Sequence, residues 1–547
     1  MTRRLILFSL IPLVLVSCGG GSGSSSNPPE NPPPGASQAH TLVAWSELGM
    51  HCMDGKDYSI FAVLPPYNTV RAQLIKNGNS AQLVTSGVTV TYEAVADTAG
   101  SINTSSSDKT NFWTYASTLF LASLSMDVGL TGKAVQSATP HSMDFNSNEN
   151  VWEAVGIPTV PYDDNDATNA YPMAKIVAKD STGKVLAETK VVLAVSDEMS
   201  CKNCHASGSD PAAQPAGGWV NDADPAKDVK LNILKLHDQK NDITPYLAAL
   251  ATSGYIYQAS LYQTATSGTP ILCATCHSSN ALGTAGAAGV PSLTRSMHSF
   301  HGPVVNPDSG TTLDNATSPF SSCYLCHPGV NTKCQRGAMR GTACMNCHGN
   351  LTAVGSAARR GWLDLPACQN CHTDGERFTT AFDGTGQWRT TADTRFATNP
   401  NTPVTNTHLF RMSKGHGNLG CPACHGSPHA EYPSAQSNDN VYTLAVQGYG
   451  GEVRECSICH GTSATLSSKG GPHGIHTLGQ AWVDQHHSYA GNGGYTTCAA
   501  CHGADYRGTP LSVTKVARSL KAEDNTVNFP AGYMIGCYDC HNGPTGG

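Results

Sequence analysis

Alternation of apolar and polar positions is the first regularity along the chain, and it is confined to the N-terminal third. Val88-Thr-Val-Thr-Tyr92 alternates β-branched residues, a pattern suited to a half-buried pleated surface. Apolar runs at Ala174–Lys179 and Lys190–Val195 flank Asp180-Ser-Thr-Gly183, a turn-forming sequence, so the two predict a hairpin. Short strands broken by Gly, Pro and Asn turns between His40 and Val195 predict a β-sandwich or small barrel. Its last strand runs almost directly into Cys201, which predicts that the β domain is docked onto the cysteine-rich region. From Ser196 onward neither the helical nor the strand period is sustained, and Gly, Pro, Ser, Thr and Asn are frequent. An irregular stretch of that length needs a core supplied by something other than secondary structure. The expected fold class is therefore multidomain: a β-rich, sandwich-like N-terminal domain over 40–195, then a largely irregular domain with short helices over 196–547.

The leading residues set the compartment. Arg3 and Arg4 precede an apolar run, Leu5 to Val16, too short to span a bilayer. It stops at Leu15-Val16-Ser17-Cys18, which resembles the lipobox of bacterial lipoproteins. That resemblance implies a signal peptide over 1–18 and a lipidated Cys18 as the mature N-terminus. Residues 19–39 are a Gly/Ser/Pro linker that cannot bury a core. The expected protein is anchored to a membrane rather than threaded through it.

Charged residues make up 13% of the chain and the net charge is −7, with no basic cluster, which argues against nucleic acid. Cysteine is the outlier, at 21 residues. Eighteen of them fall into nine Cys-x-x-Cys-His motifs. The cysteine pairs are Cys201 and Cys204, Cys273 and Cys276, Cys323 and Cys326, Cys344 and Cys347, Cys368 and Cys371. The series continues with Cys421 and Cys424, Cys456 and Cys459, Cys498 and Cys501, Cys537 and Cys540. The motif histidines are His205, His277, His327, His348, His372, His425, His460, His502 and His541. Thiols at this spacing both reach the vinyl groups on one side of a porphyrin, and the adjacent histidine falls under the iron as proximal ligand. Paired Cys-x-x-Cys also serves structural zinc, but zinc knuckles do not require a histidine directly after the second cysteine. Nine repeats behind an export signal predict nine covalently attached c-type haems, the missing core of the second region. Motifs three, four and five begin at Cys323, Cys344 and Cys368, close enough that their rings should pack together.

The remaining histidines extend the reading. Of 22 in the chain, thirteen lie outside the motifs. Ten of those fall in the haem region: His237, His298, His301, His408, His416, His429, His473, His476, His486 and His487. That number nearly matches nine distal positions and predicts iron closed by two histidines at most or all sites. Haems three, four, five and nine should take distal ligands from remote parts of the chain, and the segment holding His473, His476, His486 and His487 should serve several irons. Met297, Met339, Met412 and Met534 are the alternative distal ligands. Cys52 and Cys334, the thiols left once Cys18 is lipidated, are candidates for a disulfide between the two domains, with free thiols or a soft metal as alternatives. Asp163-Asp164-Asn165-Asp166 offers oxygens for calcium but lacks a full ligand loop, and a solvated turn is the preferred reading.

Together the lipobox, the nine motifs and the β-rich region resemble the lipid-anchored outer-surface multihaem c-type cytochromes of dissimilatory metal-reducing bacteria. The resemblance implies haem-to-haem electron relay from periplasmic donors to extracellular acceptors such as metal oxides. It also implies other redox proteins, minerals or electrodes as partners, and a surface-facing outer-membrane location. Two other functions fit the same motifs: a multihaem reductase of nitrite or a related small oxyanion with one open haem site, and a subunit of a haem filament. No motif replaces its histidine by lysine, the variant carried by one nitrite reductase family.

Overall fold

The computed structural model describes residues 39–199, 201–373, 376–390, 409–461, 471–491 and 493–545. Cys18, the leader and the linker up to residue 38 lie outside the described residues, as does His408. Where the chain alternates, it forms two antiparallel sheets. In chain order their strands are β1 (His40–Ser46), β2 (Asn68–Lys76), β3 (Gln82–Val84), β4 (Val88–Val95), β5 (His141–Ser142), β6 (Asp144–Asn146), β7 (Val151–Ile157), β8 (Met173–Asp180) and β9 (Val185–Val192). One sheet runs β1-β2-β7-β6 with β3 also on β2, and the other runs β9-β8-β4-β5. Leu42 and Ala44 of β1, Val70, Ala72 and Leu74 of β2, Tyr92 of β4 and Ile176 of β8 meet in one apolar cluster, so the sheets face each other across it.

The expected hairpin is β8–β9, turned at Asp180–Lys184. The Asp180 amide donates to the Lys184 carbonyl at 3.0 Å, and Gly183 takes a φ of 85° that favours glycine. Its second arm ends earlier than the apolar run suggests. Val195 and Ser196 leave it to pair in parallel with His51 and Cys52, and the run's last residues are buried for that second purpose.

Strand β1 is buried on both faces. Its odd residues Val43 and Trp45, with Ile75 of β2, pack against Ala423, Tyr432 and Tyr442 from the motif region. Each aliphatic side chain buried there contributes about 1.5–3 kcal/mol. Polar residues on the same face of β2 complete the joint. Gln73 donates to the Asn418 carbonyl at 3.1 Å and accepts from the Gly420 amide at 2.9 Å, and Arg71 donates to the Met412 sulfur at 3.0 Å.

After Ser196 the chain is mostly one-turn helices and loops, with one departure from expectation. Pro225–Lys240 is a sixteen-residue helix whose Leu231 and Leu234 pack with Phe61, Ile243, Leu250 and Ile271 in an ordinary core. Its start was legible: Asp224 accepts from the Ala226 amide at 2.9 Å and Pro225 takes the first helical position. Its period was masked because polar residues sit on the buried face. Asp228 accepts from the Ser207 amide at 2.7 Å, Asn232 from the Val220 amide at 2.9 Å, and Lys230 donates to the Phe61 carbonyl at 3.2 Å. Among the described residues, none of the five apolar clusters has a fully buried member between 277 and 390 or after 460.

Arg336 ties the two regions at one buried point. Its guanidinium grips Asp439 at 2.7 and 3.0 Å and donates to the Gly49 carbonyl at 2.7 Å, with both charged side chains under a tenth exposed. Gly49 has no room for a Cβ, which would stand 1.5 Å from the Pro428 oxygen. Arg336→Ala strands the Asp439 carboxylate and should cost about 3–5 kcal/mol. Arg336→Met with Asp439→Leu should cost clearly less, read by guanidinium denaturation of the full chain followed by circular dichroism.

Candidate functional site

Each Cys-x-x-Cys-His motif folds as a single helical turn. The histidine amide reaches back to the first cysteine's carbonyl, at 2.9 Å in motif one, 3.1 Å in motif two and 2.8 Å in motifs three and seven. First cysteine and histidine therefore lie on one side of the turn. Gly349, Gly426, Gly461 and Gly503 follow their motifs at positive φ, which stops the turn immediately and leaves the ring at its end.

Among the described residues, eight motif histidines are each faced by a second imidazole. Ring centres lie 6.4 Å apart for His205 and His301, 6.5 Å for His237 and His277, 6.0 Å for His298 and His327, and 5.9 Å for His348 and His429. The other pairs are His416 with His460 at 5.8 Å, His425 with His473 at 5.9 Å, His476 with His502 at 6.2 Å, and His486 with His541 at 5.8 Å. Two imidazoles bound to opposite sides of one metal atom, at about 2.0 Å per bond, have ring centres roughly 6 Å apart. The residues present fit an iron held between them. In the seventh motif the two Nε2 atoms face each other at 3.5 Å, slightly inside the about 4 Å of two such bonds.

Tautomers point the same way. A backbone carbonyl only accepts, so a ring nitrogen against one carries the proton and leaves the other nitrogen bare. Nδ1 is so placed in His277 on Pro291, His298 on Thr294, His486 on Val483 and His502 on Ile535, each at 2.8 Å, and in His476 on Thr477 at 2.7 Å. Nδ1 of His205, His237 and His541 is buried without such an acceptor. Burial, with a neighbouring imidazole adding to it, holds His205 and His327 down to about 4 and His348 down to about 3. Burial also holds His476 down to about 4, although Nδ1 donates to the Thr477 carbonyl. The ligand form of histidine is the neutral ring.

Two of the expected remote pairings are present: His429, beyond motif six, faces His348 of motif four, and His486 faces His541 of motif nine. Motif three departs from expectation, because His327 is faced by His298 on the helix just before it. His473, His476 and His486, from one segment, go to motifs six, eight and nine. His487 is exposed and is not brought to a motif histidine among the described residues. His372 opens a short hairpin with Glu376–Arg377. The thiols of Cys323 and Cys344 are close enough to shift each other's ionisation, as are those of Cys347 and Cys371, so motif four has motifs three and five as neighbours. These sulfurs stand where thioether sulfurs would be. Met412 is engaged by Arg71, and Met297, Met339 and Met534 are exposed.

Sequence reasoning did not find the groups that steady the rings. Ser296 Oγ lies 3.1 Å from Nδ1 of His277, and the Cys334 sulfur 3.7 Å from Nδ1 of His429. One signal was available: Ser292 caps the helix Leu293–His301, and histidines three apart on a capped helix share a face.

The bridge expected between Cys52 and Cys334 is not formed; both are free thiols. In the acidic turn, Asp164 is paired with Lys109 at 2.8 Å, and Asp163 accepts through Oδ2 from Ser101 and, at 2.9 Å, from Asn169. No family model matches the chain, and no curated protein does.

Burial pushes the Cys334 thiol up to about 11, against the pull of Arg336, and burial raises Cys52 as well. The thiolate is the reactive form, so at pH 8 neither should alkylate in the native protein. Both should alkylate after denaturation, and mass spectrometry of the labelled chain distinguishes this from a bridge, which takes no label.

Proposed function

We propose that the chain is a nine-haem c-type cytochrome that relays electrons from haem to haem. The observation that carries this reading is the set of eight imidazole pairs at iron-spanning separation, each containing the histidine of a Cys-x-x-Cys-His motif. When bound, each haem supplies a one-electron iron couple. The chain's part is to attach each ring through two thioethers, close the iron with two neutral imidazoles, and fix the spacing between neighbours. Closed iron has no position for a substrate, which favours a relay over a reductase with an open site. The proximity of motifs three, four and five supports this reading, since a relay needs closely spaced groups.

Resemblance to lipid-anchored outer-surface cytochromes extends the proposal to anchoring through Cys18 and delivery to extracellular acceptors such as metal oxides. Among the described residues no helix is long and apolar enough to cross a membrane. Two propionates per ring against one ferric charge add about −1 for each haem, which favours cationic partners or mineral surfaces.

The test is a haem count with low-temperature EPR of the purified full chain. Nine haems, all low-spin when oxidised, are expected, in two spectral classes. Near-parallel rings, as in His298–His327 at 12°, His476–His502 at 10° and His486–His541 at 20°, give rhombic spectra. Strongly crossed rings, as in His237–His277 at 87° and His205–His301 at 76°, give signals with a large leading g-value. A stoichiometric high-spin signal with nitrite turnover would overturn the relay in favour of the reductase.

A further inference from the structure

We infer that the helix Leu293–His301 is a junction for three haem sites, wiring motif one directly to motif three and out of sequence order. The inference rests on the haem reading proposed above and adds which sites are neighbours.

His298 and His301 are three residues apart on this helix and so share a face, with Cβ atoms about 5–6 Å apart. The first faces His327 of motif three and the second faces His205 of motif one. Each ring is set by a carbonyl one turn back in the same helix, Thr294 at 2.8 Å and Met297 at 2.6 Å, so both Nε2 atoms point away from it. One helical step thus sets the separation of the two proposed irons. The sulfurs agree independently, since the Cys326 thiol of motif three is influenced by the nearby Cys201 and Cys204 of motif one.

Motif two attaches to the same helix from elsewhere. Ser296 is about 200° around the axis from His298, and its hydroxyl lies 3.1 Å from Nδ1 of His277. The Pro291 carbonyl, just before the helix, lies 2.8 Å from that nitrogen. Motif two therefore meets the junction through the back of its proximal ligand and does not stand between motifs one and three. The helix itself is clamped. Ser299 Oγ donates to the Gly355 carbonyl at 2.6 Å, and a Cβ on Gly355 would stand 2.5 Å from the Ser299 amide nitrogen.

The experiment is low-temperature EPR of the oxidised full-length holoprotein. His298→Ala and His301→Ala should each retain nine haems and convert one low-spin haem to high-spin, reversed by added imidazole. In the double variant the two high-spin signals should broaden each other by dipolar coupling. A double-variant spectrum equal to the sum of the singles overturns the junction. Ser296→Ala should change the leading g-value of one low-spin haem without creating a high-spin site, and Ser296→Thr should restore it; nine unchanged signals count against the role of Ser296. If the alanine variants do not accumulate, His298→Met and His301→Met report through two raised potentials. Mutual shifts in the double variant support the junction and independent titrations overturn it. A wild-type protein lacking nine low-spin haems sinks the relay reading, whereas an additive double variant in a sound nine-haem protein sinks only the junction.

Discussion

Paired imidazoles with ring centres 5.8 to 6.5 Å apart are the constraint on which the second half of this molecule, in the haem reading, depends. A ring nitrogen withdrawn from water is costly unless its lone pair is used, and among the described residues eight sites repeat the arrangement. Apolar clusters do not replace it: among the described residues they have no fully buried member between 277 and 390 or after 460. The proposed haems fill this role as core and crosslink together. Each ligand pair closes a loop, and the entropy of closure grows slowly, by about 0.6 kcal/mol for each doubling of length. Reaching from His205 past the whole of motif two to His301 therefore costs little more than ligating a near neighbour. That permits a topology in which spatial order and sequence order differ.

The parts of this architecture legible in the sequence are those set by local chemistry. Thioether attachment demands its own spacing, so all nine motifs could be read directly, and strand alternation placed β4 and the β8–β9 turn. The surplus of histidines suggested paired ligands because histidine is rarely used without purpose. Which histidine meets which motif was not legible, since that depends on the route of the chain. His298 and His301 diverge to different motifs from adjacent positions on one helix face, and His487 beside His486 reaches none of the described ones. The helix Pro225–Lys240 was hidden because Asp228, Lys230 and Asn232 are buried and satisfied by hydrogen bonds, which erases the polar–apolar contrast on which periodicity depends. The Cys52–Cys334 pair shows the opposite limit. Counting thiols identified two that come close, but counting carries no geometry, and the sulfurs stay unbonded.

The β-rich region acts as a template for part of the motif series. The outer face of β1 and β2 holds the backbone directly before motif six through Gln73 and Gly420. The same strands' ends hold motif seven: Thr41 donates to the Ile458 carbonyl at 2.8 Å and the Gly78 amide to the Cys459 carbonyl at 3.0 Å. The separation of these two motifs is thus set by hydrogen-bonded strands instead of by loops. Between motifs eight and nine the chain forms a further hairpin, Arg518–Ala522 with Asn525–Phe529. Arg518 reaches Glu455 beside motif seven at 2.6 Å, and Gln480 brackets Lys521 through bonds of 2.7 Å. The proposed electron relay works only if the gaps between its centres are held against thermal motion, and a chain with so little regular structure cannot hold them by its own stiffness. In that reading, strands behind motifs six and seven, a small hairpin tied to Glu455 and Gln480, and a shared helix for one, two and three divide the task among separate supports. Motifs three to five have instead their own proximity, with Cys323 beside Cys344 and Cys347 beside Cys371.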